Sequence, residues 1–316
     1  MSWKVAFLFV ACMNTLLSQT QRVVVLEVEV ENSVVYRFDV FDASKLAVNP
    51  NPATPLPDTA FREGLTIDDV VMVNGRPAKG LHFLRGTNMY FNPAPQPGFA
   101  IADASQGGAG TCNWEFLSRD GRFVGRLVDG GFFPHSILGG AGAFFGARGE
   151  HSFTPIRPQR ITSVVEDPAR RRILGGGAYR VTFSVVPMFY PEVELSPQGP
   201  AIFHGDDFTL VTPARPARPN EQLIVRARNL GPTSPDIPRG QPFPTSSGTP
   251  RAEVNADVEV TVNGESADVI NKIGWPGESN VYRVDFRVPG GTAAGMATIQ
   301  VTAAWIPSDE VKIPVK

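Results

Sequence analysis

The chain contains almost no cysteine. Only Cys12 and Cys112 occur among its 316 residues. Cys12 lies in an apolar N-terminal segment, so a chain cleaved behind that segment keeps one cysteine and cannot form an internal disulfide. The stability of such a chain must come from packing. We expect Cys112 to be a buried small apolar residue, with a catalytic thiol as the alternative.

The sequence also has no clear excess of positive or negative charge. The 29 Lys and Arg residues nearly balance the 31 Asp and Glu residues, and the formal net charge is −2. This balance excludes the basic footprint of a nucleic-acid-binding protein and a polybasic membrane patch, so we expect no nucleic acid partner. The one basic triplet, at residues 170–172, is interpreted as a solvated strand end, with an anion site as the alternative.

Common catalytic and metal-binding motifs are missing. The four histidines show neither H-x-H nor H-E-x-x-H spacing, so we predict no metal site. The sequence has no G-x-S-x-G elbow, no P-loop and no dinucleotide fingerprint, and we expect no cofactor. Enzymatic activity stays open on these grounds, and a non-catalytic role is the favoured hypothesis.

Glycine and proline, by contrast, are abundant, with 31 and 29 residues. That content suits short strands joined by turns, and no long amphipathic helix pattern is present, so the predicted fold class is all-β. Residues 23–30 and 34–41 are alternating or apolar runs that predict a hairpin around a turn at 31–33. About eight strands are predicted up to residue 186.

The N-terminal residues 1–20 combine a short positive region with an apolar run and are typical of a secretory signal peptide. They predict a secreted or cell-envelope protein, with a lipoprotein attached at Cys12 as the alternative. We predict a β-barrel over residues 21–190, a linker at 191–200 and a β-sandwich over 201–316.

Residues 125–153 are the most distinctive stretch, G-R-L-V-D-G-G-F-F-P-H-S-I-L-G-G-A-G-A-F-F-G-A-R-G-E-H-S-F. Its glycines permit positive φ and close backbone approach, which predicts a strand, a sharp corner and a second strand. Such a corner suits a barrel or a bent sheet. Period-two alternation places Arg148 and Glu150 on one face of the second strand and Gly149 and His151 on the other.

This stretch resembles the dirigent and allene oxide cyclase barrel superfamily, whose members carry a G-G-T-G-x-F-x-x-A-R-G corner. The matching residues are Gly139, Gly140, Gly142, Phe144, Ala147, Arg148 and Gly149, with Ala141 where threonine is usual. The resemblance implies that residues 22 to about 190 form an eight-stranded antiparallel barrel. It also implies an apolar cavity and assembly as a homotrimer.

The resemblance further implies a way of working. Dirigent proteins steer the coupling of phenoxy radicals, and allene oxide cyclases fold a reactive epoxide into a ring-closing conformation; both hold an apolar substrate in one geometry. The candidate ligand-binding residues are Arg148, Tyr179, Phe132 and Phe144. Arg148 fits the arginine of the family, with a salt bridge to a strand-end carboxylate as the alternative. The corner itself contains no acid of the kind that assists dirigents.

The C-terminal part resembles the Ig-like domain, related to the IPT/TIG sandwich, that ends many secreted bacterial proteins. The agreeing residues are Leu230, Gly231, Pro232, Val260, Val262, Gly264, Gly274, Pro276, Gly277, Tyr282, Val284, Val288 and Pro289, while Asn220 replaces an entry glycine. The resemblance implies a sandwich of about seven strands that acts as a spacer or docks to a cell-surface or extracellular partner.

Two main functional hypotheses follow. The first is a secreted binding or surface protein whose barrel holds an apolar small molecule; the alternative is a barrel that steers or isomerises a phenolic or lipid-like substrate. Titratable residues on the inward face would favour the alternative, and a barrel filled by side chains would favour the first. A carbohydrate-binding envelope protein is a third hypothesis, which would require exposed coplanar aromatic rings.

Overall fold

The computed structural model of the chain describes residues 22–39, 59–91, 107–130, 135–245 and 249–316. Strands dominate these residues, which confirms the all-β prediction. The helical elements described are a 3₁₀ turn, Pro168–Arg170, and one short helix, α1, Arg171–Leu174. Within the same ranges, no helix has the length and apolar character needed to cross a membrane.

The first nine strands form one sheet. They are β1 Val24–Asp39, β2 Thr59–Val73, β3 Arg76–Phe91, β4 Gly107–Leu117, β5 Phe123–Gly130, β6 His135–Gly142, β7 Arg148–Arg157, β8 Arg160–Ser163 and β9 Gly177–Val186. The order is β2-β3-β4-β5-β6-β7-β9-β1, and β1 also pairs with β2. The sheet therefore closes into the predicted eight-stranded antiparallel barrel.

Strand β1 is one continuous strand, and the predicted hairpin at residues 23–41 is wrong. Register shifts fall between Val30 and Ser33 on the β9 side and between Glu31 and Val34 on the β2 side. Asn32 lies in this bulge with φ 54°, a conformation that asparagine tolerates. The residues that predicted a turn therefore form a β-bulge within β1. Beyond this bulge, β1 no longer pairs with β9 and pairs in parallel with β8.

The basic triplet lies between β8 and β9, and the interpretation as a solvated strand end is wrong for Arg171, whereas Arg170 and Arg172 are exposed to solvent. Arg171 is buried and donates to Asp69 Oδ1 at 2.5 Å, and Arg172 donates to the same oxygen at 2.7 Å. The short helix α1 packs against β1 and brings both guanidinium groups to this carboxylate. Consecutive basic residues can therefore hold the segment between β8 and β9 against the barrel when a buried acid lies opposite them.

The glycine-rich stretch holds three strands, because β5, β6 and β7 all fall within residues 123–157. A tight turn at residues 143–146 joins β6 to β7. A Cβ atom at Gly140 would lie 2.1 Å from the carbonyl oxygen of Phe144, and one at Gly149 would lie 1.9 Å from that of Ser184. Glycine is required at both positions because neighbouring backbone occupies the space of a side chain.

The remaining strands form a second, curled sheet and a small two-stranded sheet. They are β10 Glu192–Val193, β11 Leu195–Ser196, β12 Gly199–Pro200, β13 Ile202–His204, β14 Gln222–Arg228, β15 Thr233–Ser234, β16 Glu253–Val254, β17 Val258–Val262, β18 Glu265–Gly274, β19 Val281–Arg287, β20 Gly295–Ala303, β21 Ile306–Pro307 and β22 Val311–Val315. The main path runs β10-β14-β19-β18-β17-β20-β21. The predicted linker at 191–200 holds β10, β11 and β12.

The second sheet meets one end of the barrel, which we call the base. The ring of Trp305 lies 5.6 Å from that of Phe116, and Phe116 lies 5.3 Å from Phe144. Asn255 Nδ2 donates to the Phe123 carbonyl oxygen at 2.9 Å. The base of the barrel is thus closed by aromatic packing, and the opposite end, the mouth, is where β3 ends and β4 begins.

Candidate functional site

The interior of the barrel changes character between base and mouth. Near the base the inward side chains are apolar, and Phe116, Leu127 and Val185 are all fully buried. Further up, a set of polar and aromatic side chains replaces them, and we call this set the polar cluster. Its members are Asp68, His82, Cys112, Trp114, Asp129, His135, His151 and Tyr179, each at most 8% exposed.

One half of the polar cluster is built on Asp68. The β2–β3 register places Asp68 opposite His82, and His82 Nδ1 contacts Asp68 Oδ2. The hydroxyl of Tyr179 on β9 donates to the same oxygen and lies 3.0 Å from His82 Nδ1. Asp68 Oδ1 and His82 Nε2 are buried and have no hydrogen-bond partner in the described part of the chain.

The other half is built on Asp129, which lies opposite Cys112 in the β4–β5 register. Its Oδ1 atom lies 3.2 Å from His135 Nδ1, and its Oδ2 atom lies 3.1 Å from His151 Nε2. Trp114 Nε1 donates to Oδ2 at 2.6 Å. The Cys112 Sγ atom lies 3.9 Å from His135 Nδ1.

Trp114 joins the two halves. Its indole stacks on the His82 ring with centroids 3.8 Å apart and an interplanar angle of 15°. Its edge meets Phe183 at 5.0 Å and His151 at 6.0 Å. Both buried carboxylates are therefore held by groups that contact one tryptophan, so their positions are coupled.

The electrostatics of the cluster follow from burial and from these contacts. Burial acts to raise the pKa of Asp129, but the contacts with His135 and His151 hold this pKa well below its ordinary value, so the carboxyl is ionised. Burial, and then the charge of Asp129, raise the pKa of the Cys112 thiol. Burial, and then Asp68, raise the pKa of Tyr179 well above its ordinary value. Cys112 and Tyr179 are therefore protonated at neutral pH, so Cys112 is a poor nucleophile.

The polar cluster lies next to the mouth. Its members Tyr179 and His135 keep 8% and 7% exposure, whereas Phe116 at the base keeps none. The Phe153 ring is 44% exposed and lies 6.1 Å from the Tyr179 ring. Gly64, Gly86 and Gly110 form one row across β2, β3 and β4, in line with the inward positions. This row adds no side chain to the interior above the cluster.

The residues predicted as ligand-binding are not brought together. Tyr179 belongs to the polar cluster, and Phe144 is fully buried against Phe116 at the base. Arg148 and Glu150 are exposed while His151 is buried, which confirms the alternation predicted for this strand. Phe132 lies outside the described residues. The binding roles of these four residues stay predictions.

Of the polar cluster, sequence reasoning identified Tyr179 as a candidate ligand-binding residue and Cys112 as an alternative catalytic residue. The burial of Cys112 was predicted and is confirmed at 1% exposure. The signal for the others was local: each polar residue stands at an inward position of an alternating strand, as Asp129 does two residues after Leu127. A polar residue at an apolar position of a strand is therefore the feature that would have found them.

Two other polar sites are explained by their own contacts. On the second sheet, His204 Nδ1 meets Glu221 Oε1 at 2.5 Å and its Nε2 meets the Arg215 carbonyl oxygen at 3.2 Å, so both ring nitrogens are engaged.

A cleft of about 260 Å³ lies between the barrel base and the second sheet. Its charges pair across it, Arg76 with Glu259 and Arg119 with Asp257.

Comparisons of this chain with protein-family models, with curated proteins and with solved structures found no match. The likeness to the dirigent and allene oxide cyclase barrels and to the Ig-like domain is therefore a resemblance of motifs, and the site is described from its own geometry.

Proposed function

We propose that this protein binds a small, largely apolar molecule with one polar group at the mouth of the barrel. The observation that carries the proposal is the polar cluster, in which two fully buried carboxylates lie among three histidines and a tyrosine. We propose further that the protein is secreted through residues 1–20 and that the second sheet serves as a spacer or docking module.

The energetic argument begins with the cost of the cluster. A buried charge must be paired and hydrogen-bonded, and a well-packed apolar core of the same volume is often as stable or more stable. The base of this barrel has such an apolar core, around Phe116 and Leu127. Stability alone therefore does not require Asp68 and Asp129, and a role in recognition or chemistry explains them.

The contacts indicate how a ligand would be held. Asp68 Oδ1 and His82 Nε2 lack hydrogen-bond partners among the described residues, so a polar group of the ligand can supply one. The partly exposed Phe153 ring offers apolar surface beside it, and the glycine row at Gly64, Gly86 and Gly110 places no side chain there. A molecule with one hydroxyl, carbonyl or carboxyl group on an apolar body fits this arrangement.

A second candidate function is steering or isomerisation of a phenolic or lipid-like substrate. It is favoured by the Asp68, His82 and Tyr179 constellation, because a carboxylate, an imidazole and a phenol in mutual contact can exchange a proton with a bound group. These three residues are titratable and face inward, and such residues favour steering or isomerisation over simple binding. The acid that the glycine corner lacks is available here on β2.

The test is native mass spectrometry of the purified full chain, recorded gently and then after organic extraction. We expect a removable small apolar mass in the wild type, its loss or strong reduction in Tyr179→Phe, and its retention in Tyr282→Phe. Tyr282 is a matched control, since it is also buried and its hydroxyl donates to the Gly231 carbonyl oxygen in the second sheet.

A protein that carries no such mass after expression, and takes up none from a mixture of phenols and fatty acids, would contradict the proposal. If Tyr179→Phe and Tyr282→Phe retained the bound mass equally, the ligand-binding site would not lie in the polar cluster. Chemical change of the bound molecule during incubation would select the steering function over simple binding. The same spectra give the oligomeric mass and so test the predicted homotrimer.

A further inference from the structure

We infer that Cys112, Asp129 and His135 form a binding site for a divalent transition-metal ion, with zinc as the ion that suits them best. Their donor atoms are a thiol sulfur, a carboxylate oxygen and an imidazole nitrogen, all within 4.8 Å of one another. All three residues are buried inside the barrel. This inference does not depend on the proposed ligand at Asp68 and Tyr179.

The distances suit a common ion. Zinc bonds of about 2.0–2.3 Å in tetrahedral geometry set the donor atoms about 3.3–3.8 Å apart. The His135 Nδ1 atom lies 3.2 Å from Asp129 Oδ1 and 3.9 Å from Cys112 Sγ. The two distances to His135 Nδ1 therefore agree with this geometry to about 0.1 Å, and the Cys112 to Asp129 pair lies within 4.8 Å, a gap that rotation of the two side chains can close.

The charge balance also suits a dication. A thiolate at Cys112 and a carboxylate at Asp129 together carry two negative charges, so a bound M²⁺ ion makes the buried site neutral. On binding, the S–H bond of Cys112 breaks, the sulfur bonds to the metal and the proton leaves to solvent. Sulfur and nitrogen donors favour zinc, cobalt and similar ions over calcium and magnesium, which prefer oxygen.

His151 supplies an independent indication. Its side chain is 4% exposed, and its Nε2 atom lies 3.1 Å from Asp129 Oδ2 without forming a hydrogen bond there. The rings of His151 and His135 lie 4.9 Å apart. A buried imidazole nitrogen this close to the Asp129 carboxylate can become a fourth donor to an ion bound there.

The carboxylate is also held in place, as the ligands of metal sites commonly are. Trp114 Nε1 donates to Asp129 Oδ2 at 2.6 Å, which leaves Oδ1 directed at His135. The three ligands lie on the adjacent strands β4, β5 and β6. The closed barrel thus preorganises the site.

The experiment is a titration of the metal-free full chain with Co²⁺, followed by absorbance. A thiolate ligand gives a sulfur-to-cobalt charge-transfer band, so we expect this band to saturate at one equivalent and to disappear when Zn²⁺ is added. We also expect either ion to raise the melting temperature, because binding to the folded state stabilises it. Wild type that shows no charge-transfer band would overturn the inference without any variant being needed, even if the melting temperature rises, because a rise alone can come from the separate group of His204, Asp206 and Glu221 on the second sheet.

Variants assign the site. Cys112→Ser should lose the charge-transfer band and bind Co²⁺ at least roughly a hundredfold more weakly, since the thiolate supplies one of three ligands. Cys12→Ser is the matched control and should keep the band. Glu221→Gln should keep it as well, because Glu221 contacts His204 on the second sheet and not the polar cluster. A band that persists in Cys112→Ser, or vanishes in Cys12→Ser, would contradict the assignment. Far-UV circular dichroism confirms that each variant is folded.

Discussion

At the residue scale, Asp69 shows how one carboxylate holds a connection to the barrel wall. It accepts hydrogen bonds from Arg171, Arg172 and Asn32, which lie on α1 and in the β1 bulge. Burial acts to raise the pKa of Asp69, but the bonds from Arg172, Asn32 and Arg171 outweigh it and leave this pKa below its ordinary value. The ionised carboxylate is therefore a stabilising group of the folded state.

This arrangement predicts a pH dependence of stability. Because the pKa of Asp69 is lower in the folded state, its contribution is fully present above its unfolded pKa of about 3.9 and is lost as pH falls through the folded pKa. Asp69→Asn should lower the free energy of unfolding at pH 7 by about 3 kcal/mol, since Arg171 is left buried without its partner. It should also flatten the loss of stability below pH 4.

Urea unfolding followed by circular dichroism between pH 2.5 and 7 measures both effects. Glu265→Gln provides the control, because Glu265 is exposed on β18, and this change should leave the stability within about 0.5 kcal/mol. If the two variants have the same pH profile, Asp69 does not anchor α1 in the way described.

At the scale of the element, the glycines of β6 and β7 differ in how closely other atoms approach them. Gly149 has φ 145°, and a Cβ atom there would lie 1.9 Å from the Ser184 carbonyl oxygen on β9. At Gly139, in the same stretch, a Cβ atom would meet no other atom within 4 Å. Two glycines ten residues apart therefore carry different constraints.

Gly149→Ala should destabilise the protein by about 3 kcal/mol, because the added methyl group must push β7 away from β9 and the backbone is strained as well. Gly139→Ala should change the free energy of unfolding by no more than about 0.5 kcal/mol in either direction. Thermal and urea unfolding of the pair provide the measurement. Equal effects would show that backbone approach of β9 does not set the need for glycine.

At the scale of the whole molecule, the barrel and the second sheet share an aromatic contact at the base. Trp305 reaches Phe116 from the turn between β20 and β21, where Ala304 and Trp305 have φ values of 49° and 64°. Such turns prefer asparagine and glycine, so this one holds two residues in a disfavoured conformation. The contact with the barrel accounts for a tryptophan at this position.

Trp305→Ala should therefore lower the free energy of unfolding by about 2 kcal/mol, since a large ring is lost from the packed base while the turn stays strained. Arg119→Ala breaks an ion pair to Asp257 at the same junction, but the two side chains are 80% and 63% exposed. That change should cost less than about 1 kcal/mol and should matter less in high salt. Urea titrations of both variants at two salt concentrations decide the order, and the reverse order would refute the shared aromatic base.

The local sequence was sufficient for the features that depend on neighbouring residues. Period-two alternation predicted strands and placed Arg148 and His151 on opposite faces of one strand; glycine spacing predicted a corner where backbone segments approach. The burial of Cys112 also followed from its chemistry. These signals are short-range, because strand geometry and positive φ are decided within a few residues.

Only the tertiary structure decided the polar cluster and the bulge. Asp68, Asp129 and His135 come from three different strands, and their meeting depends on the register and closure of the barrel. The same holds for Arg171, whose partner Asp69 is 102 residues away. Such contacts join residues that are far apart in the sequence, so no local spacing predicts them. The polar cluster could therefore be identified only from the closed barrel.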